Sequence, residues 1–271
     1  MWKRIKKKFK NIKFNNRNCD VFVYKTRFGF KAILDMEKVV DRWFYFDDFE
    51  YQSFDLAMKF LKEGMIILDI GANIGLYTLL FCKKTGLSGK VFAFEPAPEA
   101  FFRLKQNVKL NNFKNCKLFN SGISNEAGMS KFYVCEDDAF NSLGNKPMAP
   151  ILKTIDIPVT TVDEFCQKEN IAKVDLIKID TEGADYLVLK GADGLLTSEN
   201  SPIVMCEYNR NMDGGYSFKV IDMYNYLTET GYEIYEVNEK GTLIKFDVAI
   251  SDASEIICLK ERHKSMFFFS E

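Results

Sequence analysis

Between Met65 and Leu259 the sequence alternates short apolar runs with longer amphipathic stretches, and this rhythm limits the fold more than any other feature. Met65 to Ile70, Lys90 to Glu95, Cys116 to Phe119, Val174 to Asp180 and Ile203 to Glu207 have the length and apolarity of buried strands. Asn73 to Lys84, Glu99 to Leu110, Thr161 to Lys168, Tyr186 to Leu196 and Phe218 to Thr230 have helical spacing. Strands separated by helices of about 10–15 residues imply βαβ crossovers and a mostly parallel sheet covered on both faces. Tyr232 to Val237 and Glu255 to Leu259 add two strands with no obvious helix between them, which predicts an antiparallel edge. The expected fold is α/β, a doubly wound, Rossmann-like, mostly parallel sheet of seven strands. Ser121 to Thr161 interrupts the alternation with one expected strand, Lys131 to Val134, and a polar loop.

Ahead of this core, Asp20 to about Val40 reads as short strands around a tight turn, and Phe49 to Leu61 as a helix stopped by Gly64. The chain therefore divides into a basic segment (1–19), an N-terminal β/helical extension packed on the core (20–64), the core domain (65–262) and a tail (263–271). Its 271 residues, 47% hydrophobic and 28% charged, are enough for a sizeable core. Lys and Arg number 37 against 38 acidic residues, a net charge of -1, so no global field selects nucleic acid. Eight basic residues nevertheless precede Asp20 with no acid among them, and Trp2, Ile5, Phe9 and Ile12 recur between them at roughly helical spacing. A solvated end is the plain reading; peripheral contact of residues 1–17 with an anionic membrane surface is the alternative. No apolar run follows the charges as in a secretory leader, and no window approaches the ~18 apolar residues of a membrane span. Seven dispersed cysteines without a Cys-x-x-Cys pair argue for reduced thiols and a cytoplasmic setting, with Cys82, Cys206 and Cys258 as small core residues.

In open α/β sheets the ligand lies beyond the carboxyl ends of the strands, at the topological switch point. The first core strand runs into Asp69-Ile-Gly-Ala-Asn-Ile-Gly75, where Gly71 permits a turn hard against the strand and Gly75 a close helix approach. The spacing is G-x-x-x-G behind an acid, not the G-x-G-x-x-G that cradles a pyrophosphate. It better fits a ligand with an ammonium and no phosphate, such as S-adenosylmethionine (SAM). The second strand ends at Glu95, placed to accept hydrogen bonds from both hydroxyls of a ribose.

Asp69-Ile-Gly-Ala-Asn-Ile-Gly-Leu-Tyr-Thr78, Phe94-Glu-Pro96, Asp175-Leu-Ile-Lys-Ile-Asp-Thr-Glu-Gly183 and Leu189-Lys-Gly-Ala192 together resemble the FkbM family of class I methyltransferases, over roughly Phe49 to Val237. The resemblance implies a SAM cofactor and O-methylation of a sugar, glycan or natural product. By that similarity Asp69, Gly71, Asn73, Gly75 and Glu95 fall on cofactor-binding positions, and Asn141 and Ser142 near the acceptor. The pattern departs at Asn120-Ser121, where many class I enzymes place an acid near the adenine; Ser121 is counted with the cofactor positions.

Val174 to Asp180 carries charge where a doubly covered strand is usually apolar throughout. Lys178 and Asp180 share one face by the period of two, and Glu182 opens the next turn. One reading is an ion pair at a strand end. The functional reading makes Asp180, Lys178 and Glu182 the catalytic group, aligning an acceptor hydroxyl and taking its proton. Glu207 and Asn209, at the end of the next strand, border the same acceptor. Asp180, Glu207 and Asn209 could also converge as oxygen ligands for Mg²⁺, a reading not favoured. His263, the single histidine, reads as a surface residue, leaving a Ser-His-Asp or Cys-His mechanism little support. Two other functions compete. A nicotinamide-dependent oxidoreductase lacks the third glycine and offers only Tyr186 with Lys190 as a catalytic pair. A non-catalytic SAM-binding module would be distinguished by a methyl-transfer assay. A nucleic-acid substrate is not expected, since the basic residues cluster only in the first 17 positions.

Overall fold

The structure, a computed structural model, describes residues 21–46, 51–144, 146–209, 215–251, 255–267 and 269. The basic segment, and with it the membrane-contact expectation, lies outside the described residues. Strands β1 (Val21–Lys25) and β2 (Lys31–Asp35) form an antiparallel hairpin, followed by helices α1 (Val39–Tyr45) and α2 (Tyr51–Phe60). The core then runs β3 (Ile66–Ile70), α3 (Leu76–Thr85), β4 (Lys90–Phe94), α4 (Pro98–Leu110) and β5 (Cys116–Phe119). An inserted unit holds β6 (Gly122–Ile123), β7 (Gly128–Cys135), a 3-10 turn (Asp138–Phe140) and β8 (Ile151–Thr160). After α5 (Val162–Lys168) come β9 (Leu176–Ile179), the short helices α6 (Asp185–Lys190) and α7 (Asp193–Thr197), and β10 (Ile203–Glu207). Helix α8 (Val220–Glu229), β11 (Glu233–Val237), β12 (Leu243–Lys245), β13 (Glu255–Leu259) and a 3-10 helix (Glu261–Met266) complete the order.

The main sheet has the order β12-β11-β13-β10-β9-β3-β4-β5. Five neighbouring strands, β10 to β5, are parallel, and β13 enters antiparallel between β10 and β11. All seven expected strands are present, and β12 extends the edge as a short eighth. Successive residues of β3 serve opposite faces: Ile67 joins the core beneath α2 and α3, while Leu68 and Ile70 join the core beneath α5, α6 and α8. That two-sided burial explains the near-continuous apolar runs of the central strands.

The hairpin is bound to α4 by two asparagines one turn apart. Asn107 accepts the Ile33 amide (2.7 Å) and donates to the Ile74 carbonyl (2.8 Å), while Asn111 accepts the Lys31 amide (2.8 Å) and donates to the Lys31 carbonyl (2.7 Å). Two side-chain amides thereby do for the outer edge of β2 what a further strand would.

Several elements differ from expectation. The insertion is a three-stranded sheet, β6-β8-β7, whose inner face (Phe132, Ile157) packs on Ala97 and Ala100. Its ten-residue β8 exposes most of one face and contains Pro158, which made the run read as loop. The stretch Tyr186 to Leu196 is two helices, broken at Gly191, whose α-carbon lies so near the Ser124 carbonyl that a Cβ would sit 2.1 Å from its oxygen. His263 is buried (7% exposed) and not a surface residue, because the 3-10 helix after β13 folds it under the chain at Ser201. Its Nδ1 accepts the Lys260 amide (3.0 Å), and its Nε2 lies 3.2 Å from the Ser201 carbonyl and 3.1 Å from Arg262 Nε. Burial beside Arg262 pushes its pKa down to about 4.

Candidate active site

The carboxyl ends of β3, β4, β9 and β10 open into one cavity of about 340 Å³. Its floor on one side is the bend after β3. Gly71 (φ +80°) passes the end of β9 so closely that a Cβ would lie 1.8 Å from the Asp180 carbonyl oxygen. Gly75 (φ +91°) caps α3, where a Cβ would meet Leu104 at 2.4 Å. Only glycine satisfies both the left-handed backbone and the contact. The bend spends its amides internally: Gly71 and Ala72 donate to the Phe94 carbonyl (3.0 and 2.9 Å) and Asn73 to Glu95 Oε2 (2.7 Å). Such a loop has few N–H groups left for a phosphate. Asn73, itself left-handed (φ 49°), lines the cavity with a buried Oδ1 that has no hydrogen-bond partner.

Glu95 holds this bend to the start of α4, its Oε1 accepting the Ala97 amide at 2.7 Å. Burial pushes its pKa up to about 7, against the two amides that pull it down; Asp180 and Asp69 add to the rise. Asn120 donates to the carbonyls of Glu95 (2.8 Å) and Pro96 (3.0 Å), which leaves Ser121 as the cavity-lining residue of that pair. Asp69 lies below the floor, 0% exposed, where Thr78 donates to its Oδ2. Burial raises its pKa, opposed by the Lys178 charge.

On the opposite side the end of β9 presents an ion pair. Lys178, 3% exposed, donates to Asp180 Oδ2 at 2.7 Å and lies over the Tyr77 ring at 4.6 Å. Glu182 follows with φ 53° and Gly183 with φ 98°, a left-handed corner unusual for a glutamate. Its carbonyl accepts the hydroxyl of Ser142 at 2.8 Å. Glu207 and Asn209 close this end, with Asn209 Nδ2 3.4 Å from Glu207 Oε1. Asp180, Glu182 and Glu207 each offer an oxygen within 4.8 Å of the others, a spacing that a divalent cation could bridge.

Of the residues singled out in the sequence, Gly71, Asn73, Glu95, Ser121, Asn141, Lys178, Asp180, Glu182, Glu207 and Asn209 all line this cavity. Asp69, Gly75 and Ser142 do not, and stand behind it. On the opposite wall Phe140, Leu143 and Met148 belong to the insertion that carries the expected acceptor contacts Asn141 and Ser142, whereas Val40 and Trp43 of α1 were not singled out in the sequence. Lys38, at the start of α1, bonds Asp138 of the insertion (3.3 Å) and Glu99 of α4 (2.9 Å). Asn141 is fixed there by accepting the Cys135 amide at 2.8 Å. Asp185 was also missed. It is a buried carboxylate behind the site, disguised as an ordinary acid in the first turn of α6.

A parallel sheet with one antiparallel strand inserted before its last parallel neighbour, and a glycine bend and strand-end acid over one cavity, is the plan of the class I methyltransferase fold. The sequence profile of the methyltransferase FkbM domain matches residues 69–234. The chain belongs to that family. Among similar proteins, "Methyltransferase 1" of Beauveria bassiana is 29% identical over 48% of this chain and 59% of its own length. "Hexuronic acid methyltransferase AglP" of Haloferax volcanii is 28% identical over 65% of this chain and 70% of its own. "2-O-methyltransferase NoeI" of Sinorhizobium fredii is 26% identical over 50% of this chain and 60% of its own. This chain thus spans about three fifths of the first and third of these relatives.

Proposed function

We propose that this chain transfers the methyl group of SAM to a hydroxyl of a sugar, glycan or natural-product acceptor. The observation that carries the reading is a single cavity with an adenosyl-type end at Gly71, Asn73 and Glu95 and a carboxylate-lined end at Asp180, Glu182 and Glu207. The orphaned Asn73 Oδ1 suits an ammonium, and the internally spent amides of the bend suit a ligand without phosphate. SAM, when bound, supplies an electrophilic methyl on a sulfonium. In this reading Glu95 orients the ribose, Ser121 faces the adenine side, and Asp69 and Gly75 support the bend from behind. Asp180 accepts the acceptor's proton, Lys178 holds that carboxylate in place, and Glu182, Glu207, Asn141 and Asn209 align the hydroxyl. Alignment inside an enclosed pocket supplies most of the rate. The names of two relatives, a hexuronic acid methyltransferase and a 2-O-methyltransferase, support an oxygen acceptor.

A second reading, favoured by the spacing of Asp180, Glu182 and Glu207, places a divalent cation there to acidify the hydroxyl. Calorimetry with SAM and its demethylated product SAH, then mass spectrometry of an extract treated with protein and methyl-labelled SAM, tests the main proposal. The expected result is binding of both compounds and a product heavier by one labelled methyl. Absence of SAH binding, or binding of NAD in its place, overturns it. Turnover that persists in EDTA favours the metal-free mechanism; complete loss, restored by Mg²⁺, favours the second.

A further inference from the structure

Asp185 does not itself line the main cavity, yet it joins the two strand ends whose acids do. Its Oδ2 accepts the Thr181 hydroxyl (2.8 Å) and the Thr181 amide (3.4 Å), and its Oδ1 accepts the Glu207 amide (3.3 Å). Thr181 lies between Asp180 and Glu182, so one carboxylate grips the turn after β9 at its centre and the last residue of β10 at its backbone. Asp185 is 4% exposed. A surface carboxylate would lose most of this hold to water, whereas burial strengthens each of these bonds.

We propose that Asp185 is a positioning residue that sets the spacing of Asp180, Glu182 and Glu207 around the acceptor. This inference rests on the methyl-transfer reading of the cavity. Three details support it. First, the strand ends are parallel neighbours, and their pairing in the sheet stops at Cys206 and Ile179, so Asp185 takes over where the ladder leaves off. Second, the Glu182 corner is left-handed, a conformation that a non-glycine residue keeps only when its surroundings hold it. Asp185 holds the residue before that corner, and Ser142 holds the carbonyl of the corner itself. Third, the tether lies on the acceptor side alone: the cofactor bend is fastened separately, through Glu95 to Asn73 and Ala97. A fault at Asp185 therefore acts first on the acceptor carboxylates, while Glu95 still holds the cofactor bend.

Asp185→Asn preserves shape but turns one acceptor oxygen into a donor, which then faces either Thr181 or the Glu207 amide. The test compares this variant with the wild type by SAH calorimetry and by kcat and KM for the acceptor that labelled SAM reveals in extract. The expected result is a fall in kcat of fivefold or more with SAH affinity within twofold of wild type. A smaller fall in kcat overturns the proposal, and so does a weakening of SAH binding that matches the fall. If Asp185→Asn does not fold, Asp185→Glu, which keeps the charge but moves it by one methylene, is read by the same two thresholds. A wild-type protein that labels nothing in extract refutes the methyl-transfer reading itself, whereas a variant equal to an active wild type refutes only the role of Asp185.

Discussion

Glu95 joins a structural duty to a place on the cavity wall, where the proposed reading gives it the ribose. Each carboxylate oxygen already accepts a backbone amide, so the residue would be needed even if nothing bound. Its raised pKa also makes it a liability above neutral pH. A carboxyl raised from about 4.5 to about 7 holds its proton longer folded than unfolded; its contribution is complete below pH 4.5 and is lost as pH rises through 7. Glu95→Gln removes that titration, so its urea midpoint should vary less between pH 5 and pH 8 than the wild type's. Gln also leaves one amide facing a donor, a loss of about 1–3 kcal/mol at either pH. At this scale the sequence was informative wherever chemistry and position coincided: an acid at a strand end, a glycine pair at a bend. It was silent on partners. The family resemblance places Ser142 near the acceptor, and the structure has its hydroxyl donating to the Glu182 carbonyl behind the cavity wall. His263 read as a surface residue because nothing local announces the 3-10 fold that buries it.

Among the elements, those buried on both faces were the legible ones. The central strands declare themselves as apolar runs since neither side of them meets water. Strand β8 does not, since it is covered on one face by α4 and open on the other, and carries a proline besides. Helix α1 was missed for a related reason: in seven residues only Val40, Asp41 and Phe44 turn inward, and one of these is an acid matched to Arg103. The β1-β2 hairpin is held both by apolar contact, with Phe28, Phe30, Ala32 and Leu34 in the core, and by the two asparagines of α4. Asn107 is fully buried, so Asn107→Ala would strand the Ile33 amide and the Ile74 carbonyl together. A loss of about 2–3 kcal/mol is expected in chemical denaturation. Asn111→Ala, at a more exposed site, should cost less.

For the molecule as a whole, alternation in the sequence determined the doubly wound plan but not the order of its edge. Chain neighbours usually pair, and β11 and β12 do; β13 instead crosses back to lie between β10 and β11, a choice made by the whole sheet. The same return carries the chain to His263 and sets a global pH response opposite to that of Glu95. His263 is held neutral down to about pH 4, while an unfolded histidine takes up its proton near 6.5. The folded state therefore loses stability as pH falls from 6.5 toward 4. His263→Gln should flatten this acid limb in urea titrations at pH 7 and pH 5, whatever its cost at neutral pH. Among the described residues no helix is long and apolar enough to cross a membrane.

Gly71 gives the two halves of the cavity a common hinge-pin. The bend that would seat the methyl donor and the strand that would present its recipient meet backbone to backbone, with space for a hydrogen atom and nothing larger. Any side chain there is a wedge that drives the partners apart, so affinity for one cannot be retuned at this point without misplacing the other. If the chain transfers a methyl as proposed, a change of acceptor would fall to the opposite wall, where α1 and the inserted sheet line the cavity without touching the pin.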